Sequence, residues 1–225
     1  MARQLAFDLP VRTARGRDAF FVSEANARAV AQVEDWARWP NRRLVLVGPE
    51  GAGKTHLAEV WATLVGARRI DAATLASESA AGVGGSERVV VEDVDRIAGS
   101  EGEAPLLHLV NRLAARGAIL LTAAAPPSRW PPGLPDLRSR LEASGLASLG
   151  DPDDALLGAV LLKLFADRQI APPPELVPYL VQRIERSFRA AGAIVAALDA
   201  ESLARRQPID IRLAGQLLDR ALPSP

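Results

Sequence analysis

At 225 residues, 48% of them apolar, the chain can bury one α/β core and a small appended unit. Its 27 basic and 27 acidic residues cancel, so no excess positive field favours nucleic acid, and the absence of cysteine excludes a disulfide framework or a thiolate metal site. His56 and His108 lie far apart in sequence, and neither an 18-residue apolar span nor a cationic-then-apolar leader is present. A metal other than nucleotide-bound Mg²⁺, a membrane helix and a signal peptide are therefore not expected.

Residues 1–17 carry Arg3, Arg12, Arg15 and Arg17 around Gln4-Leu5-Ala6-Phe7-Asp8-Leu9-Pro10, before any long periodic pattern, and read as an arm. A helix is expected over 24–39, with Ser23 as N-cap and Pro40 at its end. Leu44-Val45-Leu46-Val47 lacks the alternation of a half-exposed strand and reads as a buried parallel strand.

That strand feeds Gly48-Pro49-Glu50-Gly51-Ala52-Gly53-Lys54-Thr55, the pattern GxxxxGK[ST] of a P-loop. Its glycines let backbone N–H groups turn inward around a phosphate; Lys54 reaches the β- and γ-phosphates; Thr55 offers a hydroxyl to Mg²⁺. The alternative, a chance glycine-rich turn, fits poorly with lysine usage, since Lys54 and Lys163 are the only lysines among the 27 basic residues. His56 opens the following helix, expected to bury Leu57, Val60, Trp61, Leu64 and Val65 and to close at Gly66.

Residues 68–71 are a candidate second strand, and 77–86, rich in Ala, Gly and Ser, read as a weak helix or loop. Val89-Val90-Val91 is a further buried strand ending in Glu92 and Asp93. A P-loop protein places there the acid that holds Mg²⁺ through water and the acid that orients the attacking water. Glu92 is longer by one methylene than the usual aspartate, and two surface acids at a strand end are the plain alternative. Pro105 opens a helix that Gly117 stops, Ile119–Thr122 is the next strand, and the proline-dense stretch 126–135 is loop. From Asp151 onward only helices follow, over 152–169, 175–185, 187–205 and 211–222. The expected fold is a P-loop α/β domain over 18–150, its parallel sheet covered by helices, with a small all-α lid over 151–225.

These pieces in this order, together with Leu120-Leu121-Thr122 leading to Pro126-Pro127 and Asp136-Leu137-Arg138-Ser139-Arg140-Leu141, resemble the AAA+ module of the bacterial replication initiator DnaA and, closer still, of its shorter relative Hda. The similarity covers roughly residues 4–222. It implies ADP or ATP with Mg²⁺ as cofactors, without deciding between the two nucleotides, and a bacterial cytoplasmic location. Arg140 matches the arginine finger inserted into a neighbouring subunit's site, ahead of Arg138; the plain alternative is a solvated surface arginine. Arg189 matches the sensor 2 arginine, with Arg186 one turn away, and Phe20, Phe21, Val22 and Asn26 match the segment lining the adenine pocket. Phe20 and Phe21 are equally readable as core aromatics. The acid of the sensor 1 run is missing, because Ala123-Ala124-Ala125 follows Thr122. With Glu92, this implies that the chain's own hydrolysis is slow or absent while binding survives.

The arm resembles the sliding-clamp-binding peptide of that family: Leu5, Phe7 and Leu9 fill an apolar cleft and Gln4 bonds at its edge. DnaA continues into a helix-turn-helix domain, whereas this sequence ends at Pro225, so no direct sequence-specific DNA binding is expected. The resemblance thus implies a negative regulator of replication initiation that docks on the DNA polymerase III sliding clamp and stimulates ATP hydrolysis by DnaA, with a homodimer left open. The alternatives are a self-contained AAA+ ATPase acting as helicase loader or transposition helper, and a small-molecule kinase.

Overall fold

The computed structural model describes residues 21–75, 87–114 and 116–221. The arm with Gln4, Leu5, Phe7 and Leu9, together with Phe20 and the 77–86 segment, lies outside the described residues.

Five strands, β1 (Arg43–Val47), β2 (Arg68–Asp71), β3 (Arg88–Glu92), β4 (Ala118–Ala123) and β5 (Gly145–Ser148), form one parallel sheet in the order β2-β3-β4-β1-β5. Helix α1 (Ala27–Glu34) precedes β1, and α2 (Lys54–Val65), α3 (Glu103–Leu113) and α4 (Pro135–Glu142) connect β1 to β2, β3 to β4 and β4 to β5, the crossover a parallel pair requires. On one face Leu44, Leu46, Val90 and Leu120 pack with Ala29, Val30 and Val33 of α1 and Leu57, Ala58 and Trp61 of α2. On the other, Val45, Val47, Val89, Val91, Ile119 and Leu121 meet Leu106, Leu109 and Val110 of α3 and Leu137 and Leu141 of α4. Sheet residues buried on both sides explain the continuous apolar runs of β1, β3 and β4. Each such Val or Leu contributes about 1.5–3 kcal/mol by leaving water.

Helices α5 (Asp154–Asp167), α6 (Leu176–Val181), α7 (Phe188–Arg205) and α8 (Ile211–Ala221) follow and enclose a separate core of Leu157, Leu161, Phe165, Leu176, Leu180, Val195 and Leu198. Asp153 and Ser187 cap α5 and α7, accepting the N–H groups of Leu156 at 2.7 Å and Ala190 at 3.1 Å.

Several expected boundaries move. The 24–39 helix shrinks to α1 because Ser23 and Asn26 spend their side chains on a turn: Asn26 Oδ1 accepts the Ser23 N–H at 2.9 Å and Ser23 Oγ that of Ala25 at 3.2 Å. At the other end the Trp39 indole donates to the Gln32 carbonyl at 2.7 Å, and the chain folds back through two short 3₁₀ turns. On α2, Leu64 is 49% exposed, and Ala58 and Ala62 fill the inner face instead. Pro135 is the first residue of α4 rather than the end of a loop, and the expected 175–185 helix ends at Val181. Among the described residues, no helix is long and apolar enough to cross a membrane.

Candidate nucleotide site

The P-loop leaves β1 at the carboxyl edge of the sheet, where open α/β folds place their ligands. Gly48 has to lack a side chain, since a Cβ there would stand 2.5 Å from the Leu149 carbonyl oxygen. Gly51 and Gly53 adopt φ of 78° and 92°, the left-handed region that glycine enters without strain. Lys54 folds back and donates from Nζ to the carbonyls of Gly48 at 2.7 Å and Pro49 at 2.9 Å. Burial holds its ammonium below the ordinary lysine range; Asp93, Asp95 and Glu50 oppose that shift and Arg96 adds to it. This is a positive group among carbonyls at a helix N-terminus, an arrangement that a phosphate completes. Thr55, in the first turn of α2, is exposed.

The lid approaches this loop directly. Phe188 donates its backbone N–H to the Gly51 carbonyl at 2.9 Å. Arg189 lies 3.7 Å from Glu50 of the loop and 4.0 Å from Glu185, while Arg186 pairs with Asp154 at 2.7 Å. Between the two units lies a largely apolar cavity of about 220 Å³, lined by Phe21, His56, Leu156, Val160, Leu164 and Phe188 among others. Of the residues expected at an adenine pocket, Phe21 lines it. Asn26 does not, but its Nδ2 donates to the Phe21 carbonyl at 2.9 Å and so pins that segment, and Val22 packs into the core beneath.

Glu92, Asp93 and Asp95 stand at the end of β3. Glu92 accepts from Arg69 of β2 at 2.6 Å, Asp93 faces Arg96 at 3.1 Å, and Asp95 accepts the backbone N–H of Ala124 at 3.0 Å. Asp95 and Arg69 were not anticipated as part of the site. Asp95 reaches the backbone of the Ala123-Ala124-Ala125 run at the end of β4, and the signal for it is the spacing Glu92-Asp93-Val94-Asp95. Asp93 has φ of 57°, and its N–H is held by Thr122 Oγ at 3.0 Å, which ties β3 to β4 beside the loop.

Arg140 lies elsewhere. It sits in the last turn of α4, pairs with Asp136 at 3.1 Å, and its charge helps burial lower the pKa of Arg43 at the start of β1. Arg43 is four residues, or about 13 Å of strand, before Val47. The Ser144 hydroxyl donates to the Arg140 carbonyl at 3.0 Å, Asn41 donates to the Ala143 carbonyl at 3.1 Å, and Gly145 then opens β5 opposite Leu44, so the backbone of the finger candidate lies at the end of the sheet where β1 begins, whereas the P-loop follows the end of β1. Arg138 is occupied by Glu142 at 3.0 Å and the Ser128 carbonyl at 3.1 Å.

No family model matches the chain. It is 29% identical to the chromosomal replication initiator DnaA of Thermomicrobium roseum over 132 residues, 58% of this chain and 28% of that protein. It is 24% identical to DnaA of Cutibacterium acnes over 230 residues, 92% of this chain and 46% of that protein. Domain III of Thermotoga maritima DnaA superposes with a TM-score of 0.77 at 20% identity, covering 92% of this chain and 95% of the other. The chain is related in sequence to DnaA and has the AAA+ fold of its domain III. This AAA+ module spans less than half the length of those curated relatives. Its fold is shared more widely, as T. maritima RuvB superposes with a TM-score of 0.66 at 13% identity, covering 87% of this chain and 67% of that one. Aquifex aeolicus DnaA, solved with AMPPCP, superposes with a TM-score of 0.65 at 18% identity over 81% of this chain and 64% of that one, so an adenine nucleotide analogue is bound by a module of this fold.

Proposed function

We propose that this AAA+ module binds ADP or ATP and acts in trans on the initiator DnaA, as a negative regulator of replication initiation held on the DNA polymerase sliding clamp. The observation that carries the reading is the separation of Arg140 from the module's own P-loop. A guanidinium carried at that end of the sheet is out of place for its own phosphates and is available to a neighbouring molecule's, where such a group accelerates phosphoryl transfer by about 10³ to 10⁵. The relation in sequence to DnaA supports that initiator as the neighbour. The bound nucleotide then holds the lid against the P-loop and fixes a shape. The module's own acids, each engaged with a partner in the chain, suit binding better than turnover.

The residues assigned to nucleotide are Gly48 to Thr55, His56, Phe21 and Arg189, with Asn26 pinning Phe21. Magnesium fits less well, because the Thr55 hydroxyl is accessible but Glu92 is taken by Arg69. Docking on the clamp rests on Gln4, Leu5, Phe7 and Leu9.

The test is phosphate release by ATP-loaded DnaA in the presence of this protein and DNA-loaded clamp, repeated with residues 1–10 deleted. Stimulation that disappears with the deletion supports the reading. Turnover of ATP by the protein alone, with no effect on DnaA, favours a self-contained ATPase such as a helicase loader.

A further inference from the structure

Magnesium in a P-loop site bridges the phosphates and, through water, an acid at the end of β3; it demands near-octahedral geometry and gives up its waters reluctantly. Glu92 is the residue in that position, and it is already engaged. Its Oε1 accepts from both Nε and Nη2 of Arg69, at 3.0 and 2.6 Å, and its side chain is only 16% exposed. Arg69 in turn is held on its other side by Glu59 of α2 at 3.2 Å. The parallel register sets this up: Arg69 lies opposite Val90 and Asp71 opposite Glu92, so Arg69 and Glu92 project from adjacent strands toward α2. Hydrogen bonding to Glu92, together with the charges of both acids, raises the arginine's pKa despite burial. Asp93 and Asp95 also have partners within the chain, Arg96 at 3.1 Å and the Ala124 N–H at 3.0 Å.

We propose that Arg69 supplies to Glu92 the positive charge that magnesium would bring, so that this protein holds its nucleotide without a divalent cation. The physical reason is electrostatic. An acid left bare beside a polyphosphate repels it, and in an ordinary site the metal cancels that repulsion. Here a fixed guanidinium cancels it, and removing the metal changes little. The inference rests on the nucleotide-binding reading above and concerns the metal alone.

The experiment is equilibrium dialysis of labelled ADP and ATP against the full-length protein, with excess Mg²⁺ and again with excess EDTA, for wild type and Arg69→Ala. Arg69→Gln is included as a bulkier replacement should the alanine variant fail to fold, with circular dichroism confirming structure. Wild-type affinity is expected to differ by less than about threefold between the two conditions, whereas the Arg69 variants bind at least about tenfold tighter with Mg²⁺ than with EDTA. A wild-type protein that loses tenfold or more on chelation overturns the inference while leaving nucleotide binding intact. Variants as indifferent to metal as wild type also overturn it. A wild type that binds neither nucleotide under either condition removes the inference and the nucleotide reading together.

Discussion

The ring of Phe188 stands where a side chain on Gly53 would be: a Cβ there would lie 2.7 Å from Phe188 Cε2. Gly53→Ala therefore meets two obstacles, a φ of 92° that alanine resists and an aromatic ring in its way. The expected outcome is a loss of about 2 kcal/mol or more in stability, with the lid displaced from the loop. Urea unfolding followed by tryptophan fluorescence measures the first, and protease sensitivity near Gly150 reports the second.

Lys54→Ala should separate binding from folding. Among the described residues the ammonium donates to the carbonyls of Gly48 and Pro49 within its own loop, so its removal is expected to cost the fold little. A phosphate loses its charge-assisted donor, so affinity for ADP and ATP is expected to fall by about 10²-fold. Dialysis and a thermal melt on the same preparation distinguish this outcome from unfolding.

Glu103 is a buried carboxylate at the start of α3, bonded from Oε1 to the Gly99 N–H at 2.7 Å and from Oε2 to the Leu134 N–H at 2.5 Å. It clamps the loop before α3 to the one before α4, which carries Arg140. Glu103→Ala leaves two N–H groups without their charged acceptor and is expected to cost about 3 kcal/mol. Glu103→Gln forces an amide donor against one of them and should recover only part of that. The shift in urea midpoint at constant slope is the readout.

Arg140→Ala should leave stability within about 0.5 kcal/mol, because its ion pair with Asp136 joins partly exposed side chains. Its effect is expected on DnaA, where stimulated phosphate release falls by about 10³-fold while nucleotide binding by this protein is unchanged. Stimulation that persists in the variant would remove Arg140 from the mechanism.

The P-loop was legible because its chemistry constrains consecutive residues: glycines for the turn, lysine for the phosphate, an apolar strand before and a helix after. β1, β3 and β4 were legible for a related reason, burial on both faces, which writes unbroken Val and Leu runs. β5 was not expected. Gly-Leu-Ala-Ser has little strand propensity, and it is held by β1, where Gly145 leaves room for Leu44. α4 was hidden by its eight polar-rich residues and the prolines before it. The partners of the site acids were invisible for a different reason. Arg69 meets Glu92 across 23 positions, and Asp95 meets Ala124 across 29, through strand order that no local pattern encodes.

The lid has its own closed hydrophobic core, and the sheet has two more. Between them, among the described residues, lie the cavity bordered by Phe21, His56, Leu156 and Phe188, the backbone bond from Phe188 to Gly51 and the exposed ion pair of Arg189 with Glu50. A molecule filling that gap would touch both units and act as mortar between self-sufficient blocks. Heating an empty protein should then separate lid from sheet in two steps, and saturation with the filling molecule should merge them into one cooperative transition.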